Sequence, residues 1–174
     1  MNMKYNLIAS ATVGLLALLH ASTTAATDIK AHHGSECKVY GTTAWTDLGF
    51  GWQGIFNTTN ASKVIVCPLV KDSEVDWDGD DVAPVNAAYV DVHYRAPGPA
   101  SSISCTAYVN RTTGLTSSKS IAVAIPAGSQ DNANIEALQS NGTPNDLGAI
   151  MICNLGAKAV LQHYRLVEPA ATDG

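Results

Sequence analysis

The chain has 174 residues, of which only 14% are charged, and its formal net charge is −5. Its length suits one domain with a core of its own. The acidic balance disfavours nucleic acid and anionic membrane as partners, because both require a basic face.

Residues 1–26 read as a secretory signal peptide. Lys4 supplies the basic start, Leu7 to Leu19 the apolar run, and Thr24-Ala25-Ala26 the small residues of a cleavage site. That run is too short to span a membrane as a helix, which takes roughly 20 apolar residues. Cleavage after Ala26 would leave a product more acidic still, since Lys4 departs and no acid goes with it. The expectation is a soluble, secreted or periplasmic protein. Residues 27–36 form an N-terminal extension, 37–168 one sandwich domain and 169–174 a flexible tail.

Beyond the signal, short β-branched runs alternate with Gly, Pro, Asn and Ser, which predicts an all-β chain. The expected strands are Cys37 to Tyr40, Phe50 to Phe56, Lys63 to Val70, Ala87 to Arg95, Ile103 to Val109, Ser120 to Ile125, Ile150 to Leu155 and Val160 to Val167. In the fourth, Val90, Val92 and Tyr94 alternate with Tyr89, Asp91, His93 and Arg95, the pattern of a sheet covered on one side. Trp52 alternates with Phe50 and Phe56 and is assigned to the core. The segment Asn132 to Gln139 is the helical candidate, a single turn within a loop. Two such sheets make an antiparallel β-sandwich, jelly-roll or immunoglobulin-like.

In an exported chain the cysteines Cys37, Cys67, Cys105 and Cys153 predict two disulfides. Sequential pairing, Cys37 with Cys67 and Cys105 with Cys153, is favoured over Cys37 with Cys153 and Cys67 with Cys105, although spacing alone does not separate the two. Such bonds are expected to clamp the two pleated layers together.

Four short motifs stand around these cysteines: Gly34-Ser35-Glu36-Cys37, Val66-Cys67-Pro68-Leu69, Ile103-Ser104-Cys105, and Ile152-Cys153-Asn154-Leu155 followed by Tyr164-Arg165-Leu166-Val167-Glu168. Together they resemble a group of uncharacterised exported bacterial proteins that keep a Cys-Pro after the second cysteine and end on a Tyr-x-Val-x-Glu-like strand. The resemblance implies export, two disulfides and a β fold. It transfers no catalytic residue.

Six of the fifteen acids fall within residues 72–81. There Asp76, Asp78 and Asp80, bent by Gly79, resemble the core of a calcium loop, because calcium takes several oxygens at once. The twelfth loop position, Val85, lacks the carboxylate of an EF-hand, so the competing reading is an exposed acidic loop. Trp45 and Trp77, in loop-like surroundings, are candidate sugar platforms, since a flat ring excludes water from the apolar face of a pyranose. Packing over the sandwich edge is the alternative for both. His93 and His163 each stand in a His-Tyr-Arg setting on separate strands and become neighbours if those strands align. Cleavage after Ala31 would instead make His32 the N-terminus, as in the copper-binding histidine brace of lytic polysaccharide monooxygenases, but Asp28 and Lys30 fit poorly in a cleavage region. Sequons occur at Asn57, Asn60, Asn110 and Asn141.

No nucleophile motif of the Gly-x-Ser-x-Gly kind is present. The expected function is thus a non-enzymatic exported β-sandwich that binds a surface, a glycan or a cell-surface protein, with calcium the one cofactor suggested. The alternatives are a small extracellular hydrolase or copper-dependent polysaccharide oxidase, and a self-assembling structural surface component.

Overall fold

Period-two alternation sorts the side chains into two faces wherever it occurs. Val90, Val92 and Tyr94 are buried against the core, and so are Ile103, Cys105, Ala107 and Val109. The computed structural model describes residues 28–70, 88–111, 116–138 and 146–168. Among them run strands β1 (Asp28–His33), β2 (Lys38–Val39), β3 (Leu48–Gly51), β4 (Gly54–Asn57), β5 (Lys63–Leu69), β6 (Ala88–Arg95), β7 (Ser101–Arg111), β8 (Thr116–Ile125), β9 (Gln130–Leu138), β10 (Asp146–Leu155) and β11 (Val160–Glu168).

All pairings are antiparallel. The first sheet runs β3-β4-β11-β6-β9, with β1 added to β11, and the second runs β2-β5-β10-β7-β8. From β4 onward, the strands interleave between the sheets as 4-11-6-9 and 5-10-7-8. This is the two-sheet jelly roll rather than the immunoglobulin arrangement. Ile55, Leu161, Tyr164 and Leu166 of the first sheet meet Ile65, Met151, Leu155 and Ile103 of the second in one core. Each such side chain contributes roughly 1.5–3 kcal/mol by leaving water.

The disulfides are Cys37–Cys67 and Cys105–Cys153, and no described cysteine is free. They do not clamp the layers. Cys105 and Cys153 are direct partners across the β7–β10 ladder, and Cys37 lies one residue before β2, opposite Cys67 on β5. Both bonds therefore cross between neighbouring strands of the second sheet, with Cα separations of 4.1 Å.

Three other expectations give way. Residues 130–138 form a strand, not a helical turn. The inward residues Ile135 and Leu138 are three apart only because a bulge inserts an extra residue opposite Val90 and Ala88. The run Phe50 to Phe56 is a hairpin that reverses at Trp52-Gln53. Phe50 and Phe56 consequently face opposite sides of the sheet, and Trp52 lies at the tip, 85% exposed rather than in the core. Residues 28–33, read as part of an extension, pair with the whole second half of β11. Their inward positions are Lys30, ion-paired to the buried Glu168, and His32, stacked on Tyr164, so they carry no apolar alternation to betray a strand.

Candidate functional site

Strand register assembles three rows on the outer face of the first sheet. Gly49, Phe56, Val160, Arg95 and Gln130 align across β3, β4, β11, β6 and β9. Beyond a bulge at Gln162 come His33, His163, His93 and Asn132, then Ala31, Arg165, Asp91 and Asn134.

The first row bears a cavity of about 350 Å³ lined by Gln53, Phe56, Asn57, Thr58, Arg95, Pro97, Lys158 and Val160. Its floor is apolar. The Phe56 ring lies over Gly49, where a Cβ would fall inside the ring. Val160 is 3% exposed yet stands outside the core cluster, on the far side of the sheet from it. Gln53, Arg95 and Lys158 supply polar groups around this floor.

Two backbone devices fix the rim. At Gly54, φ is 110°, and a Cβ there or at Gly34 would overlap the carbonyl of Leu161. Only glycine lets the β4 hairpin and the end of β1 close on the Gln162 bulge. His33 then ties them together. Its Nε2 donates to the Trp52 carbonyl at 3.1 Å, and its Nδ1 accepts from Ser35. Below the cavity, the Asn57 side chain is 1% exposed and its Nδ2 donates to the carbonyls of Ala61, Leu155 and Gly156. The sequon at Asn57 is thus a structural bracket whose amide is already engaged.

The neighbouring rows are electrostatically self-contained. Asp91 accepts from Arg165, from Asn132 at 2.9 Å and from His93 Nε2 at 2.9 Å. Burial pushes the Asp91 carboxyl upward, but the hydrogen bonds from Arg165, Asn132 and His93 outweigh it and hold the group below the usual range. His93 and His163 do align, with stacked rings 4.0 Å apart. Burial, then the charges of His93 and Arg165, lower the His163 pKa. Among the described residues no three His, Cys, Asp or Glu side chains converge as a metal site.

Of the expected site residues, Asp76, Asp78, Asp80 and Trp77 lie outside the described residues. Trp45 is 57% exposed and stacks on Phe50 at 4.4 Å, over the sandwich edge and on the opposite side of the sheet from Phe56. His32 Nδ1 lies 2.9 Å from the Glu36 carboxylate, and its Nε2 is buried without a hydrogen-bond partner among the described residues. Sequence reasoning missed the cavity itself. Its one local signal was the Gly51-Trp52-Gln53-Gly54 turn, which breaks the apparent alternation and turns Phe56 outward. No helix among the described residues is long and apolar enough to cross a membrane.

No protein-family model and no curated protein matches this chain. Solved structures do. The CBM22-1 xylan-binding domain from Paenibacillus barcinonensis Xyn10C aligns with a TM-score of 0.53 at 13% identity, covering 84% of this chain and 98% of that one. The CBM22-1-GH10 modules of Clostridium thermocellum Xyn10B, complexed with xylohexaose, align at 0.41 and 11% identity over 86% of this chain and 28% of that one. TmCBM61 in complex with β-1,4-galactotriose aligns at 0.39 and 10% identity, over 79% and 87% respectively. The chain shares the β-sandwich fold of the first of these.

Proposed function

We propose that this protein is an exported, non-catalytic carbohydrate-binding module whose ligand lies in the cleft over Phe56 and Val160. The observation that carries the reading is an apolar floor beside convergent polar groups, a combination that suits a sugar ring's two faces. The shared fold with a domain whose description names xylan binding supports it at the level of architecture. Two disulfides suit an oxidising compartment. Glycoside cleavage would need paired carboxylates. Among the described residues Asp91, Asp47, Glu36 and Glu168 are engaged by Arg165, Lys63, His32 and Lys30, and no carboxylate lines the cleft. The exposed Trp52 is carried on the hairpin that also supplies Gln53 and is a second aromatic to test for contact with the ligand.

Affinity electrophoresis in gels loaded with neutral and acidic plant and bacterial polysaccharides tests the reading. Phe56→Ala should weaken retardation about tenfold, with a retained cooperative melting transition showing that the fold persists. Trp45→Ala should leave retardation intact. Retention indifferent to both Phe56→Ala and Trp52→Ala would remove this face as the site.

A further inference from the structure

The cleft holds two cations, and among the described residues neither has an acid. Lys30, Lys63 and Arg165 are each neutralised, by Glu168, Asp47 and Asp91. Lys38 and Lys119, on the second sheet, also have no ion pair among the described residues, but Arg95 and Lys158 stand together at one cavity. Arg95 stands beside Val160 in the outer row with no ion pair among the described residues. The Lys158 ammonium donates to the backbone carbonyl of Thr58. No carboxylate lines the cavity among the described residues, although the chain as a whole carries a net charge of −5.

The backbone at Lys158 adds an independent mark. The turn Gly156–Ala159, closed by a 3.1 Å hydrogen bond, holds Lys158 at φ 60°, and it is the one non-glycine residue with positive φ among those described. Glycine would sit there without strain. A lysine kept at such a position places its ammonium at the cleft at a cost to the fold, the pattern found where local strain serves a site.

We infer that the ligand is a carboxylate-bearing saccharide, a uronic-acid glycan. Its carboxylate is held by Arg95 and Lys158 while the ring lies against Phe56 and Val160. The guanidinium fork matches the two oxygens of a carboxylate, and the lysine adds a point charge beside it. A neutral xylan-type ligand would leave both cations without a counter-charge. This inference rests on the carbohydrate-binding reading above and narrows it to one ligand class.

The test is calorimetric titration of the full chain with galacturonate, mannuronate and glucuronate oligosaccharides and with their methyl esters, which keep each ring but replace the anionic oxygen with a neutral methoxyl group. At least one acid series should bind at least about tenfold more tightly than its ester, and 0.5 M NaCl should remove most of that margin. Arg95→Gln should cost about tenfold. Lys158→Gly should weaken binding while leaving the melting temperature equal or higher, which separates ligand loss from fold loss. Lys119→Gln, on the second sheet, should change neither. Esters binding as well as acids would overturn the inference and leave the carbohydrate reading standing. Acid binding indifferent to both Arg95→Gln and Lys158→Gly would overturn it equally. Failure of every sugar, charged or neutral, would overturn both.

Discussion

The Tyr164 hydroxyl donates a 2.7 Å hydrogen bond to the carbonyl of Pro68, 96 residues away, and so ties β11 of the first sheet to β5 of the second. The Cys-Pro pair and the terminal Tyr strand, two short motifs of the exported-protein resemblance, therefore meet in space. Burial raises the phenol's pKa, so it remains a protonated donor across the working range. Removing the hydroxyl in Tyr164→Phe leaves a part-buried carbonyl without its donor and should cost about 1–2 kcal/mol. Guanidinium denaturation measures it, and an unchanged midpoint would show that water replaces the bond without loss.

Each disulfide limits the unfolded chain, over separations of 30 and 48 residues. Chain entropy predicts a contribution of about 4 kcal/mol from the longer link. The double variant Cys105→Ala, Cys153→Ala should lose about that much, together with a further cavity cost for two fully buried sulfurs. Because the bond lies within one sheet, the carbohydrate binding proposed for the other should survive at temperatures where the variant is folded. Loss of binding with the fold intact would contradict that separation.

Asn57 donates one side-chain nitrogen to three carbonyls beneath the cleft. Asn57→Asp replaces that donor with an oxygen facing the same three oxygens and buries an uncompensated charge. The expected loss is about 3–5 kcal/mol. Circular dichroism melts at neutral pH would detect it, and a shift of only a degree or two would refute the bracket role.

Acid should weaken the fold in two steps. His163 has a lowered pKa in the folded state, so between the usual histidine value and that lower one the unfolded chain binds more protons. Stability therefore falls as pH drops below about 6.5. Asp91 is also lowered, so its contribution is complete above the usual aspartate value and is lost as pH falls through the folded one. His163→Asn should flatten melting temperature against pH between 7 and 5 while leaving the lower step in place. A wild-type curve that is level from pH 7 to 5 would rule out the first step.

Most of the strands were legible because one face of each meets a continuous core, which forces alternation. Two of the failures share a cause: irregular backbone disguises the period. The bulge opposite Val90 gives β9 a helical spacing, and the reversal at Trp52-Gln53 splices two strands into one apparent run. Strand β1 was invisible since its inward side chains are Lys30 and His32, whose partners come from the far end of the chain. The cleft was less legible still. Phe56, Val160 and Arg95 become neighbours only through the register of β4, β11 and β6, which no local pattern records.

Both cystines lie in the second layer, whereas the layer that carries the cleft has no covalent cross-link among its described strands. On heating or pulling, the uncrosslinked layer should fray first, since only ladder bonds and packing restrain it. Occupying the cleft would thus brace the weaker half of the molecule, and ligand capture should register as resistance to unfolding.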